Sequence, residues 1–140
     1  MCWNLDDTGV GQCFADIGTV VDYISPMLYP SSFQFGIPSL RNPLNDPYRI
    51  VFASLERAKE RTGFSPLTFR PWLQAFNAYA FDTRKLGKLQ LREQIKAAQD
   101  AGAEGWLLWD PRNRYPTDVL ADVARELGWN NNKLTSALKR

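Results

Sequence analysis

The chain contains no histidine. Ser-His-Asp and Cys-His catalysis within it are thereby excluded, and the commonest metal ligand is missing. It has only two cysteines, Cys2 and Cys13, without CxxC spacing. A zinc site is therefore not expected, and free thiols are the default. No run approaches the ~18 apolar residues of a membrane helix. The N-terminus lacks the charged-then-apolar pattern of a signal sequence, which at face value leaves the chain in the cytoplasm. That inference lapses if the chain is a piece of a longer protein. There is no Gly-rich phosphate loop, no nucleophile elbow and no internal repeat, so a complete small enzyme of another α/β class is not expected. The net charge of +2 is too small to argue for nucleic acid or a membrane surface. The basic cluster Arg84, Lys85, Lys88, Arg92 and Lys96 reads as a solvated helix face. No cofactor is implied.

What is present is a rhythm. Three strand-like segments end in aromatic and polar residues: SPMLYPSSF (Ser25–Phe33), FRPWLQAF (Phe69–Phe76) and GWLLWDPRNRY (Gly105–Tyr115). A helical pattern follows each. The 140 residues are one domain's worth, enough to own a core. Met1–Trp3 reads as a strand stub, with Trp3 an exposed relic. Thr8 then caps a helix through Val10, Phe14 and Ile17.

Between Tyr23 and Tyr29 the residues alternate. Ile24, Pro26 and Leu28 form an apolar set expected to face helices. Tyr23, Ser25, Met27 and Tyr29 form a mixed set expected to face a barrel interior. Pro26 marks a bulge or an irregular strand end. Ser31–Asp46 is a long loop. Asp46-Pro47 starts a helix with Val51, Leu55 and Ala58 on its buried stripe, and Gly63 stops it. Leu67–Leu73 is the next strand, with Thr68, Arg70, Trp72 and Gln74 on the polar parity. A loop through Asn77, Tyr79, Asp82 and Gly87 leads to a helix from about Gln90 to Ala101, burying Leu91, Ile95 and Ala98. Gly105–Trp109 is a short strand, apolar on both faces as a parallel strand should be. A last helix spans Thr117–Leu127, and residues 129–140 are a weakly ordered tail. The expected fold class is α/β: a half (β/α)8 TIM-type barrel of parallel strands with about four β/α units. A closed barrel needs eight units and roughly 250 residues.

The strings WNLDDTGVGQ, DYISPMLYPSSF, DPY, FRPWLQAF and REQIKAAQDAGAEGWLLWDPRNRY stand in collinear order from Trp3 to Tyr115. Together they resemble the C-terminal half of a bacterial family of putative glycosyl hydrolases related to glycosidase-type barrels. The resemblance implies a TIM barrel that acts on, or derives from one that acts on, polysaccharide, in a family often found outside the cytoplasm. It also implies an acidic Asp-Tyr-x-Arg-Phe-Pro motif in an upstream strand, which is absent here. The final strand ends Trp109-Asp110 where Trp-Asn is usual.

Glycoside hydrolysis takes two carboxyl groups across the scissile bond. Carboxylates expected at strand ends are Asp6, Asp7 and Asp110. Asp110 is the best placed as a catalytic residue, although an Asp before Pro111 reads first as a turn-former. Asp6 and Asp7 read as a facing carboxylate or as loop and helix-start residues. The candidate carbohydrate-binding residues are Tyr29, Arg70, Trp72, Gln74 and Trp109. Trp72 and Trp109 offer planes for sugar C–H faces, or core packing. Arg70 reads as a sugar or carboxylate contact, or as a buried ion pair. Gln74 reads as a sugar contact or a loop tie. Tyr29 reads as a donor at the cleft or a cap on the barrel mouth. Trp106 is expected in the core. The expected partner is carbohydrate or polysaccharide, and the chain alone is expected to hydrolyse none. The alternative is a non-catalytic carbohydrate-binding or self-associating half-barrel, completed by a homodimer or by a missing N-terminal half.

Overall fold

The computed structural model describes residues 2, 3, 7, 9–77 and 85–126. The chain folds as a mixed α/β structure with a three-stranded parallel sheet. Strands β1 (Met27–Leu28), β2 (Trp72–Gln74) and β3 (Leu107–Trp109) lie in the order β1-β2-β3. Met27 pairs with Trp72 and Trp72 with Leu107; one step on, Leu28, Leu73 and Leu108 form the next row. Each strand precedes a helix: α2 (Pro47–Thr62), α3 (Lys88–Asp100) and α4 (Thr117–Glu126). A single turn, α1 (Phe14–Ile17), comes before β1.

The strand parity decides the layers. Ile24, Leu28, Phe69 and Leu73 are buried in one cluster with Val51 and Leu55 of α2, Leu91, Ile95 and Ala98 of α3, and Val119 and Val123 of α4. Each fully buried Leu, Ile or Val side chain contributes about 1.5–3 kcal/mol, so this layer dominates stability. The opposite sheet face has no covering layer among the described residues: Met27 is 67% exposed and Trp109 45%. The apolar set Ile24, Pro26 and Leu28 is buried against the helices as its alternation predicts.

Local signals explain the helices. The Asp46 carboxylate accepts from Arg49 N–H at 2.9 Å, Pro47 occupies the first turn, and Gly63 ends α2 at φ 69. In α3 the Gln90 side chain folds back to accept from Gly87 N–H at 2.9 Å, so the helix starts two residues earlier than its apolar pattern predicts. Gly102 stops the run at φ 76. The last helix is docked by Val119 and Val123 and by the cross-helix pairs Lys88–Asp118 and Arg92–Glu126. Its expected end at Leu127, the loop residues Tyr79 and Asp82, and the tail 129–140 lie outside the described residues.

The structure departs from the sequence reading in four places. The helix expected across Val10 is a loop: Asp7 accepts from Gly9 N–H at 2.8 Å and Gly11 N–H at 3.1 Å, and both glycines adopt positive φ. Thr8 lies outside the described residues. Cys2 and Trp3 belong to no strand. Side chains anchor them instead: Cys2 is buried, and Trp3 Nε1 donates to Ser54 Oγ at 2.8 Å, so Trp3 packs against the core rather than standing exposed. The strand expected from Leu67 begins with a 3-10 turn at Pro66–Thr68, followed by a lone bridge between Ile24 and Phe69. Pro26 and Pro71 interrupt the ladder because neither has an N–H to give, although their carbonyls still accept from Trp72 and Leu107. Below Pro71 the pairing slips, with Phe69 O accepting from Glu104, and β3 is confined to Leu107–Trp109.

Residues 31–46 are held by 3-10 turns at Pro30–Ser32 and Pro43–Asn45, and by a mutual pair of hydrogen bonds between Ile37 and Leu40. Gly36 is required there. Its φ is 71, and a Cβ would lie 2.2 Å from the Leu40 carbonyl oxygen.

Both cysteines are free. Burial pushes the Cys2 thiol up to about 11, so it carries almost no thiolate at neutral pH. Native chain treated with iodoacetamide at mildly alkaline pH is expected to take one label, on half-buried Cys13, and two after unfolding. Equal labelling of both thiols in the native state contradicts the packing of Cys2.

Candidate functional site

In parallel sheets whose helices cover one face, ligands gather at the C-terminal strand ends. Two tryptophans meet on the uncovered face, Trp72 at the start of β2 and Trp109 at the end of β3, while Tyr29 packs separately beyond β1. Trp72 and Trp109 pack edge to face with centroids 6.0 Å apart at 86°. Trp109 sits level with Gln74, and Trp106, of opposite parity, packs into the helix-side core. Tyr29, one residue beyond β1, sets its ring against the edge of Phe76 at 5.4 Å. Its phenol is held above the usual value by burial and then by the neighbouring Tyr115, so it remains a hydrogen-bond donor at neutral pH.

Gln74 is fully buried. Its Oε1 accepts from Ser31 N–H at 3.1 Å and its Nε2 donates to Phe76 O at 3.0 Å. It thus ties the β1 and β2 exit loops together. Its own backbone is served by the buried Gln94 of α3, whose Oε1 accepts from Gln74 N–H at 2.9 Å and whose Nε2 donates to Gln74 O at 3.1 Å. These backbone groups face the side of β2 where β1 has already ended, and the Gln94 amide supplies the partner that a longer strand would have given.

Asp110 leaves β3 with only 5% exposure. Its Oδ1 accepts from Arg112 N–H at 2.7 Å, its carbonyl accepts from Asn113 N–H at 2.9 Å, and Asn113 adopts φ 57. This is a tight Asx-type turn. The Arg112 Nε lies 3.8 Å from the same carboxylate oxygen. Asp7 stands in its own glycine loop, and Asp6 lies outside the described residues.

Arg70 is not brought to the rim. It lies two residues before Trp72 and four before Gln74, or roughly 7 and 13 Å down the strand at ~3.3 Å per residue. There its guanidinium carbon sits 3.8 Å from the centroid of the Tyr23 ring. Among the described residues it meets no carboxylate, so the contact is a cation–π one.

A cleft of about 370 Å³ opens at the strand ends, between Gln74, Asn77, Lys88, Asp110, Arg112, Arg114 and Tyr115. A second hollow of about 200 Å³ lies beyond β1 and includes Ser31, Gln34 and Arg41. The Ser31–Gln74 hydrogen bond joins their walls. Arg112, Arg114 and Tyr115 are not among the candidates that the sequence offers individually, although two arginines and a tyrosine shortly after a strand end are the available signal. A further groove of about 380 Å³ between α3 and α4 is on the outer helix layer, and four of its five charged residues form the pairs Arg92–Glu126 and Lys96–Asp100, Glu93 being the fifth. Among the described residues no three His, Cys, Asp or Glu side chains gather as metal ligands, and no helix is long and apolar enough to cross a membrane.

Residues 1–115 match the model of a family described as "Putative glycosyl hydrolase domain", and the chain belongs to that family. No curated protein and no solved structure matches it.

Proposed function

We propose, from its membership of a glycosyl hydrolase domain family, that the chain forms the carbohydrate-contacting C-terminal half of a (β/α)8-type barrel and does not hydrolyse glycosides alone. One observation carries the reading. Trp72 and Trp109 stand edge to face on an uncovered sheet face, and Trp109 directly precedes Asp110, which lines a cleft at the C-terminal strand ends. An inner barrel face is the surface that a partial ring of parallel strands leaves open. Tyr29 then offers a hydroxyl donor to a bound sugar, Trp109 offers a ring plane, and Gln74 fixes the two loops that frame them. Arg70 reaches toward the interior from a lower level of the same face.

Hydrolysis is a different matter. Either stereochemical outcome takes two carboxyl groups, about 5–5.5 Å apart for retention and about 6.5–9.5 Å for inversion. Among the described residues lining the cleft only Asp110 is a carboxylate, and its Oδ1 is engaged in its own turn. We assign Asp110 as the one candidate acid and expect no turnover without a second.

The test has two arms. Tryptophan fluorescence of the purified chain should respond to hexasaccharides but not to free glucose. Assays on β-glucan, chitin and α-glucan should show no product. Turnover by the isolated chain overturns the division of labour, and the absence of any oligosaccharide response overturns carbohydrate contact.

A second reading is favoured by the exposure of Met27 and by the open edges of β1 and β3. Two copies pairing these edges would bury them. A sedimentation coefficient that stays monomeric at micromolar concentration rules this out.

A further inference from the structure

The cleft at the strand ends has a charge that its family membership does not call for. Arg112 and Arg114 line it, and both are exposed. Lys88 also lines it but is matched by Asp118. Among the described residues the single carboxylate in the lining, Asp110, is buried and accepts from the Arg112 N–H. Among the described residues Arg114 meets no carboxylate. Arg41 lines the adjoining hollow, which the Ser31–Gln74 hydrogen bond joins to the cleft. Among the described residues lining the cleft, the exposed charges are therefore all cations: Lys88, Arg112 and Arg114. At the other end of the strands Asp22 and Glu104 are exposed, and the half-buried Arg70 is held over the Tyr23 ring. The chain as a whole carries only +2, so the asymmetry belongs to the site and not to general basicity.

We propose that the ligand of this cleft is an acidic glycan, one whose sugars carry carboxylates. This deepens the carbohydrate reading above and rests on it. A neutral sugar offers hydroxyls, which need no cation. A guanidinium group is matched by a planar carboxylate, which takes two parallel N–H donors. Arg114, which meets no carboxylate among the described residues, and Arg112, whose Nε stands 3.8 Å from the buried Asp110 carboxylate, also draw anions toward the concave wall before contact. Trp109, which packs on Trp72 and directly precedes the cleft residue Asp110, supplies a ring contact just outside the lining. Arg112 and Arg114 supply the selection among sugars.

The decisive comparison uses one backbone with and without charge: hexagalacturonate and its fully methyl-esterified form, titrated into the 140-residue chain by calorimetry. At about 50 mM salt the acid form is expected to bind roughly tenfold tighter. At about 500 mM salt, where the screening length is under ~5 Å, the gap should shrink to about threefold or less. The double substitution Arg112→Gln with Arg114→Gln should bring the two affinities to within about twofold. Arg112→Lys with Arg114→Lys, which keeps the charge, should retain most of the preference and shows that loss in the glutamine variant is not loss of fold. Equal or tighter binding of the esterified form overturns the acidic-glycan assignment and leaves the carbohydrate reading standing. A preference that survives in the glutamine variant overturns the assignment to these two arginines. Binding of neither form overturns both readings together.

Discussion

Gln94→Leu should lower the melting temperature by about 5–20 °C. The side chain is nearly the same size, so the change isolates hydrogen bonding from packing. In the native chain the Gln94 amide both accepts from Gln74 N–H and donates to Gln74 O, with all of these groups buried. Leucine fills the space and serves neither. Each buried backbone group left unpaired costs about 1–3 kcal/mol, so the pair costs roughly 2–6 kcal/mol. Against a total stability of about 5–15 kcal/mol that is a large fraction. For a chain of this length each kcal/mol moves the midpoint by roughly 3 °C. Far-UV circular dichroism on heating measures it. A midpoint within about 2 °C of the parent refutes the role given to Gln94. The effect reaches the site as well, because Gln74 carries the loop tie to Ser31.

Trp109→Ala should weaken hexasaccharide binding by about tenfold while leaving the fold intact. Its ring is 45% exposed and shares an edge-to-face contact with Trp72, so its deletion costs less than the ~3–5 kcal/mol of a fully buried tryptophan. Losing a stacking plane worth about 1–1.5 kcal/mol corresponds to a factor of roughly ten in affinity. Trp106→Phe is the counterpart on the helix side. It should shift the melt and leave affinity unchanged. If Trp106→Phe weakens binding and Trp109→Ala does not, the parity assignment of the two faces is wrong.

Where the signals were local, the sequence was easy to read. Asp46-Pro47 and Gly63 bracket α2 because a capping carboxylate, a fixed φ and a left-handed glycine act within a few residues of themselves. The alternation Ile24, Pro26, Leu28 marked the helix-facing side because side chains in extended chain alternate regardless of context. Where the outcome depended on distant partners, the reading failed. The loop at Val10 is the exception, since its signal was local: Gly9 and Gly11 flank Val10, take positive φ and donate to Asp7 only two and four residues away. The level of Arg70 along β2 follows from where β2 ends relative to its neighbours, which depends on Pro26 and Pro71 in two different strands. The cleft arginines were hidden for a related reason: Arg112 and Arg114 line the cleft only because the Asp110 turn folds back over the strand ends. Gln74 and Gln94, forty and twenty residues from the groups they serve in one case each, could not be paired from spacing.

The seam before α4 has an evolutionary consequence. The region shared with the family ends at residue 115 and α4 begins at Thr117. The helix is fastened by two valines and two solvent-facing charge pairs, all replaceable one at a time. A lineage can therefore exchange that terminal piece, or graft a different one, while inheriting the sheet and its first three helices, at the cost of the Asp118 partner of Lys88.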